Sequence, residues 1–210
     1  MNLETAILAF ATFFATISPI DVAALFAALT PNTSDKIRRA MALKGTLIAG
    51  GILIVFAVFG NAVLIRLGIG LPALRTAGGI LLLLIAIDMV FARSSGGSST
   101  TDDETEEAGN KDDISVFPLA TPLIAGPGTM GAVILLMAEA GGDWHQEVAI
   151  IAAIVAVLLL TLLLLLMAGR IQKLLGVTGL NVTTRVVGVL LAALAVQFIF
   201  DGIASSQLLG

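Results

Sequence analysis

The sequence predicts an all-α polytopic membrane protein: six transmembrane helices as two inverted three-helix repeats, with helices 1 and 4 discontinuous. Three observations predict it. The 210 residues are 58% hydrophobic and 12% charged, with a mean hydropathy of +1.05; soluble domains average about 25% charged. Six stretches are apolar enough to cross a hydrocarbon core, which takes about 20 residues. The chain also carries a faint copy of itself, with proline interruptions at corresponding places.

The first segment runs from Leu3 to Thr30. Its start, MNLETAILAF, has no basic n-region and no A-x-A pattern, so it reads as a membrane segment and not as a cleaved signal. The second, Met41–Ile65, follows the helix-start signal TPNTSD. The third is Pro72–Ala92. Residues 93–114 have no apolar periodicity and hold the acidic run DDETEEAGNKDD; they read as a disordered cytoplasmic linker between repeat 1 (1–92) and repeat 2 (115–210). The fourth segment is Ser115–Ala140, the fifth Val148–Ala168 and the sixth Val186–Ala204.

Lysine and arginine set the orientation. Nine (Lys36, Arg38, Arg39, Lys44, Arg93, Lys111, Arg170, Lys173, Arg185) fall on one side and two (Arg66, Arg75) on the other. This predicts a multi-pass protein of the cytoplasmic membrane with both termini outside.

The internal copy relates LGIGLPALRTAGGILLLLIA (67–86) to LGVTGLNVTTRVVGVLLAALAV (175–196), with Arg75 matching Arg185 and Gly78 matching Gly188. Each copy begins the last helix of a three-helix half. Three is odd, so the second half enters the membrane from the opposite side, the pattern of many secondary transporters.

The first helix of each half is interrupted. ATISPIDVAA (15–24) and PLATPLIAGPGTMG (118–131) place prolines inside apolar runs. Ser18-Pro19 reads as an N-cap and first helical residue with Asp21 completing a capping box, and Gly126-Pro127 as a second start. An interruption in hydrocarbon leaves backbone groups unpaired, so it is tolerated only against protein or a water-filled cavity. Pro19 and Pro127 cannot bond the carbonyls of Ala15 and Leu123. The amides of Ile20, Asp21 and Val22, and of Gly128, Thr129 and Met130, are then expected as free donors at mid-depth. A helix N-terminus carries about +0.5 charge and stabilises an anion by up to ~2 kcal/mol. Two such ends do not offset desolvation of a carboxylate, so a zwitterion fits: carboxylate to the amides, ammonium to the freed carbonyls. The small lining (Ala15, Ser18, Gly126, Gly128) points to a small solute. The alternative is a pair of kinks that only set helix packing.

Around these residues the sequence resembles the MarC family, over nearly the whole chain. VFPLATPLIAGPGTM matches the pattern P-x-A-x-P-x-x-x-G-P-G-[TI] of the family's second half; GIGLPALRTAGGILLLLIA resembles its third helix and VQFIFDGI (196–203) its last. The resemblance implies six helices and movement of small solutes, small neutral amino acids among them. One departure stands out: Ser18 precedes the first-half proline where the family has Asn or Asp, and Asp21-Val22 follow where it often has Gly-Asn.

The expected function is thus alternating-access transport of a glycine- or alanine-class solute, H⁺- or Na⁺-coupled through Asp21, the acid nearest mid-depth. Ala15, Ser18, Ile20, Asp21, Leu123, Gly126, Gly128, Thr129 and Gln197 are the expected substrate contacts. A channel, an exporter of another small solute and a lipid-phosphate carrier are the alternatives. No catalysis is expected: there is no cysteine and a single histidine, His145, which excludes thiolate and multi-His metal sites. No cofactor or metal is expected. The expected partners are the solute, the bilayer and, left open, a second copy of the chain, with no nucleic acid.

Overall fold

The computed structural model describes residues 3–30, 33–91 and 113–206, with backbone alone at 169–178, 180 and 181. Residues 93–112 of the acidic linker expected at 93–114 lie outside the described residues. Every described element is helical: α1 (Leu3–Ile17), α2 (Pro19–Leu29), α3 (Asp35–Arg66), α4 (Leu71–Phe91), α5 (Ser115–Ile124), α6 (Pro127–Ala140), α7 (Trp144–Leu166) and α8 (Ala168–Ser205). Among the described residues, five helical stretches are long and apolar enough to cross a membrane, or six if α5 and α6, bent by 53° at their joint, form one span.

Two helices outrun the apolar windows that predict them. α3 begins six residues before Met41, at Asp35 after Ser34, and the ion pair of Arg38 with Asp35 at 2.5 Å ties its polar first turn. α8 begins at Ala168 and runs 38 residues, so the stretch expected as the fifth connection is helical. Hydropathy locates the part of a helix that suits lipid; only a cap or a proline locates its end, and neither intervenes before Val186. α7 has such a cap: the Asp143 carboxylate accepts from the His145 amide at 2.9 Å.

α5 is not a regular helix. Phe117 and Thr121 are extended (φ −127° and −139°), as expected of residues that precede proline. The turns around them are wide: the Leu119 amide bonds the Ile114 carbonyl at 3.1 Å, and the Ala125 amide bonds that of Ala120 at 2.8 Å.

The core forms mainly between the halves. α1 packs on α7, α3 on α5, α6 and α7, α2 on α7 and α8, and α4 on α6 and, most extensively, on α8. Glycines allow the α4–α8 approach. A Cβ at Gly79 would lie 2.7 Å from the Ala195 carbonyl oxygen, one at Gly188 2.9 Å from Met89, and one at Gly202 2.4 Å from Thr76 Oγ1. Backbones this close gain dispersion and lose no side-chain entropy, which is how helices associate where lipid is as apolar as they are. At one end of α4 the half-buried pair Arg75 Nε–Glu139 Oε1, at 2.6 Å, ties it to α6. At the end of α3 where the chain enters α5, Lys44 Nζ lies 2.7 Å from Asp113 Oδ2. Asp113 Oδ1 also takes the Ser115 amide at 2.9 Å.

Two predictions follow from this packing. Gly79→Ala should destabilise the purified protein by about 1–3 kcal/mol through overpacking. Gly51→Ala, with nothing within 4 Å of the new Cβ, should be neutral or stabilising; equal melting shifts for the two would contradict the close α4–α8 crossing. Lys44, followed by the Ser115 bonds, holds the Asp113 carboxyl down at about 2 from an ordinary 3.8. A carboxylate lowered on folding stabilises above its unfolded pKa. The tie therefore stabilises fully above about pH 4 and is lost as the pH falls towards 2. Lys44→Met should move the Asp113 titration, followed by carboxyl-carbon NMR, partway back up; an unmoved titration would refute the assignment.

Candidate functional site

Ser18 separates α1 from α2. It sits in the left-handed region (φ 47°, ψ 65°), the one described non-glycine residue at positive φ, where a β-carbon is disfavoured. Its amide still bonds the Phe14 carbonyl at 3.0 Å, and its hydroxyl turns back to donate to the Ala15 carbonyl at 3.0 Å. Two expectations change here. Ser18 caps no amide of α2, because the left-handed turn points its side chain at the helix behind it. The Ala15 carbonyl that Pro19 cannot bond is accordingly in use.

The free amides are fewer than expected. The Val22 amide bonds the Ser18 carbonyl at 3.1 Å, and the Met130 amide bonds that of Gly126 at 2.9 Å. Each is the first bond of its helix, so only the amides preceding it fall in the terminal turn without intrahelical partners. Those are Ile20 and Asp21 in α2, and Gly128 and Thr129 in α6.

Asp21 does not cap its own helix. Its Oδ1 accepts from Thr184 Oγ1 of α8 at 2.6 Å. A crevice lined by Phe14, Ser18, Pro19, Ile20, Asp21, Thr183, Thr184 and Val187 has room for about one water molecule.

The second-half residues form a separate group. Leu123, Gly126, Gly128 and Thr129 are all buried at the α5–α6 joint, and none lines the crevice. Gly126, extended (φ −83°, ψ 168°), precedes Pro127. The Pro127 ring is exposed while the glycines on both sides of it are buried; a proline has no amide hydrogen to shield. Gly128 is closed over by α4, since a Cβ there would lie 2.1 Å from Ile85 Cδ1.

α4 also bounds the first interruption. Ser18 Oγ lies 4.0 Å from Met89 Sδ. Ile85 and Met89 are one helical turn apart, about 6 Å, so both interruptions abut the same turn of α4. That turn is near the C-terminal end of α4, at Phe91, and not at its middle. The lengths agree: the interruptions lie 15 residues (about 22 Å) along α1 and 14 residues (about 21 Å) before the end of α6. The pieces cross, with α1 against α6 and α2 against α5.

Gln197 does not join either group. It is exposed and donates to Asp201 Oδ1 on its own helix at 2.8 Å. A Cβ at Gly202 would lie 2.9 Å from the Pro72 carbonyl oxygen, which puts this end of α8, and Gln197 with it, toward the Arg75 end of the bundle. Its helical position is central in the apolar window, but α8 crosses α4 so that this face turns outward. The sequence reading missed Thr183, Thr184, Ile85 and Met89. The threonines were visible as the hydroxyl pair before Arg185; nothing in an apolar helix distinguishes Ile85 or Met89.

Comparison with known proteins places the chain among integral membrane proteins. The chain is 40% identical over 208 residues to the UPF0056 membrane protein MJ1677 of Methanocaldococcus jannaschii, covering 99% of this chain and all of that one. It is 39% identical to the UPF0056 membrane protein YvbG of Bacillus subtilis, over 92% of each chain. With a UPF0056 membrane protein of Archaeoglobus fulgidus it shares 35% identity over 93% of this chain and 90% of that one. No solved structure matches. The family described as MarC family integral membrane protein matches residues 3–206, and this multi-pass chain belongs to it.

Proposed function

We propose that this chain is a secondary carrier for a small neutral amino acid of the glycine or alanine class, or a solute of similar size. It works by alternating access in the cytoplasmic membrane, with both termini outside, coupled to H⁺ or Na⁺ through Asp21. The observation that carries the reading is the meeting of two interrupted segments on one turn of α4, Ser18 at Met89 and Gly128 at Ile85, with a carboxylate held at one of them. Backbone freed from helical pairing and shielded by neighbouring helices is how carriers hold a charged solute.

An inverted repeat supports the same reading. The separation between Pro19 and Pro127 also carries the buried face of α3 onto that of α7: Met41 to Ala149, Gly45 to Ala153, Thr46 to Ile154, Ala49 to Val157, Leu53 to Thr161 and Ala57 to Leu165. The packing pairs up as a two-fold relation requires: α1 on α7 with α5 on α3, α2 on α8 with α6 on α4, and α2 on α7 with α6 on α3. The match is incomplete, since α1 is a regular helix and α5 is not. Unequal copies are what a carrier closed more tightly on one side would have. The crevice beside Asp21 is too small for an amino acid, so loading requires α2 and α8 to separate.

Proteoliposome uptake of labelled glycine, alanine and serine under imposed H⁺ or Na⁺ gradients tests the proposal. The expected result is saturable accumulation with counterflow. Asp21→Asn should lower gradient-driven accumulation at least tenfold, about 1.4 kcal/mol of coupling, and leave counterflow in place. Unsaturable flux would indicate a channel. Unchanged accumulation in Asp21→Asn would remove Asp21 from the coupling.

A further inference from the structure

We propose that the Ala15 carbonyl, the Ser18 and Thr184 hydroxyls and the Asp21 carboxylate form a binding site for one dehydrated alkali cation of sodium size. The inference deepens the carrier reading and takes from it only the role of the cation; the binding itself does not depend on transport.

The four oxygens come from separate parts of the fold. Ala15 belongs to the last turn of α1, Ser18 is the left-handed residue between helices, Asp21 is in the first turn of α2, and Thr184 comes across from α8. They form two hydrogen-bonded pairs: Ser18 Oγ is 3.0 Å from the Ala15 oxygen and Thr184 Oγ1 is 2.6 Å from Asp21 Oδ1. Ser18, Asp21 and Thr184 line one crevice.

Each hydroxyl has one proton, and both are committed, that of Ser18 to the Ala15 carbonyl and that of Thr184 to Asp21 Oδ1. The Ser18 lone pairs and the second Asp21 oxygen then remain as acceptors for a cation.

The charge count leads to the same conclusion. No lysine, arginine or histidine is paired with Asp21 among the described residues. The negative end of α1 and the positive end of α2 meet at Ser18 and largely offset each other. One carboxylate charge is therefore left, and an ionised carboxylate in a membrane segment is costly without a partner. A monovalent ion balances it. Calcium sites draw on more oxygen ligands, usually several carboxylates. Transition metals favour nitrogen or sulfur, and the described residues hold no group of three His, Cys, Asp or Glu. The crevice has room for about one water-sized body, which excludes an amino acid.

A proton alone would need one carboxylate oxygen and one acceptor. It would leave unexplained why a threonine from α8 and a left-handed serine converge on the same acid.

The test is a melting titration of the purified protein in detergent, at fixed pH and ionic strength, with NaCl replacing choline chloride. Sodium should raise the melting midpoint saturably and choline should not. Thr184→Val should raise the half-saturating sodium concentration at least about tenfold, Thr184→Ser should restore it, and Asp21→Asn should abolish the response. The midpoints in choline show whether each variant is folded. Identical curves in the two salts, or a sodium response untouched by both Asp21→Asn and Thr184→Val, would overturn the site; so would a midpoint that follows pH and ignores sodium. Alanine counterflow with equal sodium on both sides reports the carrier separately. Its loss with sodium binding intact would sink the carrier reading alone, and its persistence without sodium binding would sink the cation site alone.

Discussion

A peptide group in hydrocarbon must find a partner inside the protein, and the rest of this structure depends on how that is met at two places. Continuous helices meet it automatically. α1 and α2 do not, because Pro19 removes a donor and Ser18 reverses the backbone twist. α5 does not either, because two residues before prolines are extended. Each interruption is repaired locally and incompletely. The Ser18 hydroxyl takes up the Ala15 carbonyl, wide turns take up the carbonyls of Ile114 and Ala120, and burial among other helices covers the rest. The polar groups that remain are concentrated where α4 passes both breaks.

That constraint accounts for the unusual packing. A three-helix half with a broken first helix cannot shield its own break, so the other half has to do so. The described helices accordingly pack far more across the halves than within them. Glycine permits it: Gly79 and Gly188 bring α4 and α8 to backbone contact, and Gly45 lets α3 sit against the irregular α5, where a Cβ would come 2.9 Å from the Ser115 carbonyl oxygen. The halves are better described as interleaved than as separate domains.

The spans were legible in the sequence because hydrophobicity over 20 residues is a direct measure of fitness for lipid, and the positions of Ser18-Pro19 and Gly126-Pro127 were legible because proline is the strongest local signal in an apolar run. The direction in which the left-handed Ser18 aims its hydroxyl was not, since Ser-Pro is also the signature of a forward cap. Nor was the partner of Asp21. Capping by Asp21 is local and readable; its bond to Thr184 spans the chain and depends on how α2 lies along α8. The turn of α4 that the breaks meet was not legible for a similar reason, because counting residues from the segment ends says nothing about a neighbouring helix. Gln197 illustrates the limit: a polar residue central in its window still faces outward when its helix is rotated.

The chain contains no cysteine, so single cysteines report without background, and their accessibility tests the central claim most directly. Cysteine introduced at Ile20, beside the first interruption, should react with a small membrane-impermeant thiol reagent from one side of sealed vesicles, and alanine should slow the reaction. Phe59, exposed on α3 away from both breaks, should react as cysteine only with a lipid-soluble reagent. If the cysteine at position 20 also reacts only with the lipid-soluble reagent and ignores alanine, the interruptions do not enclose a solute path and the account fails.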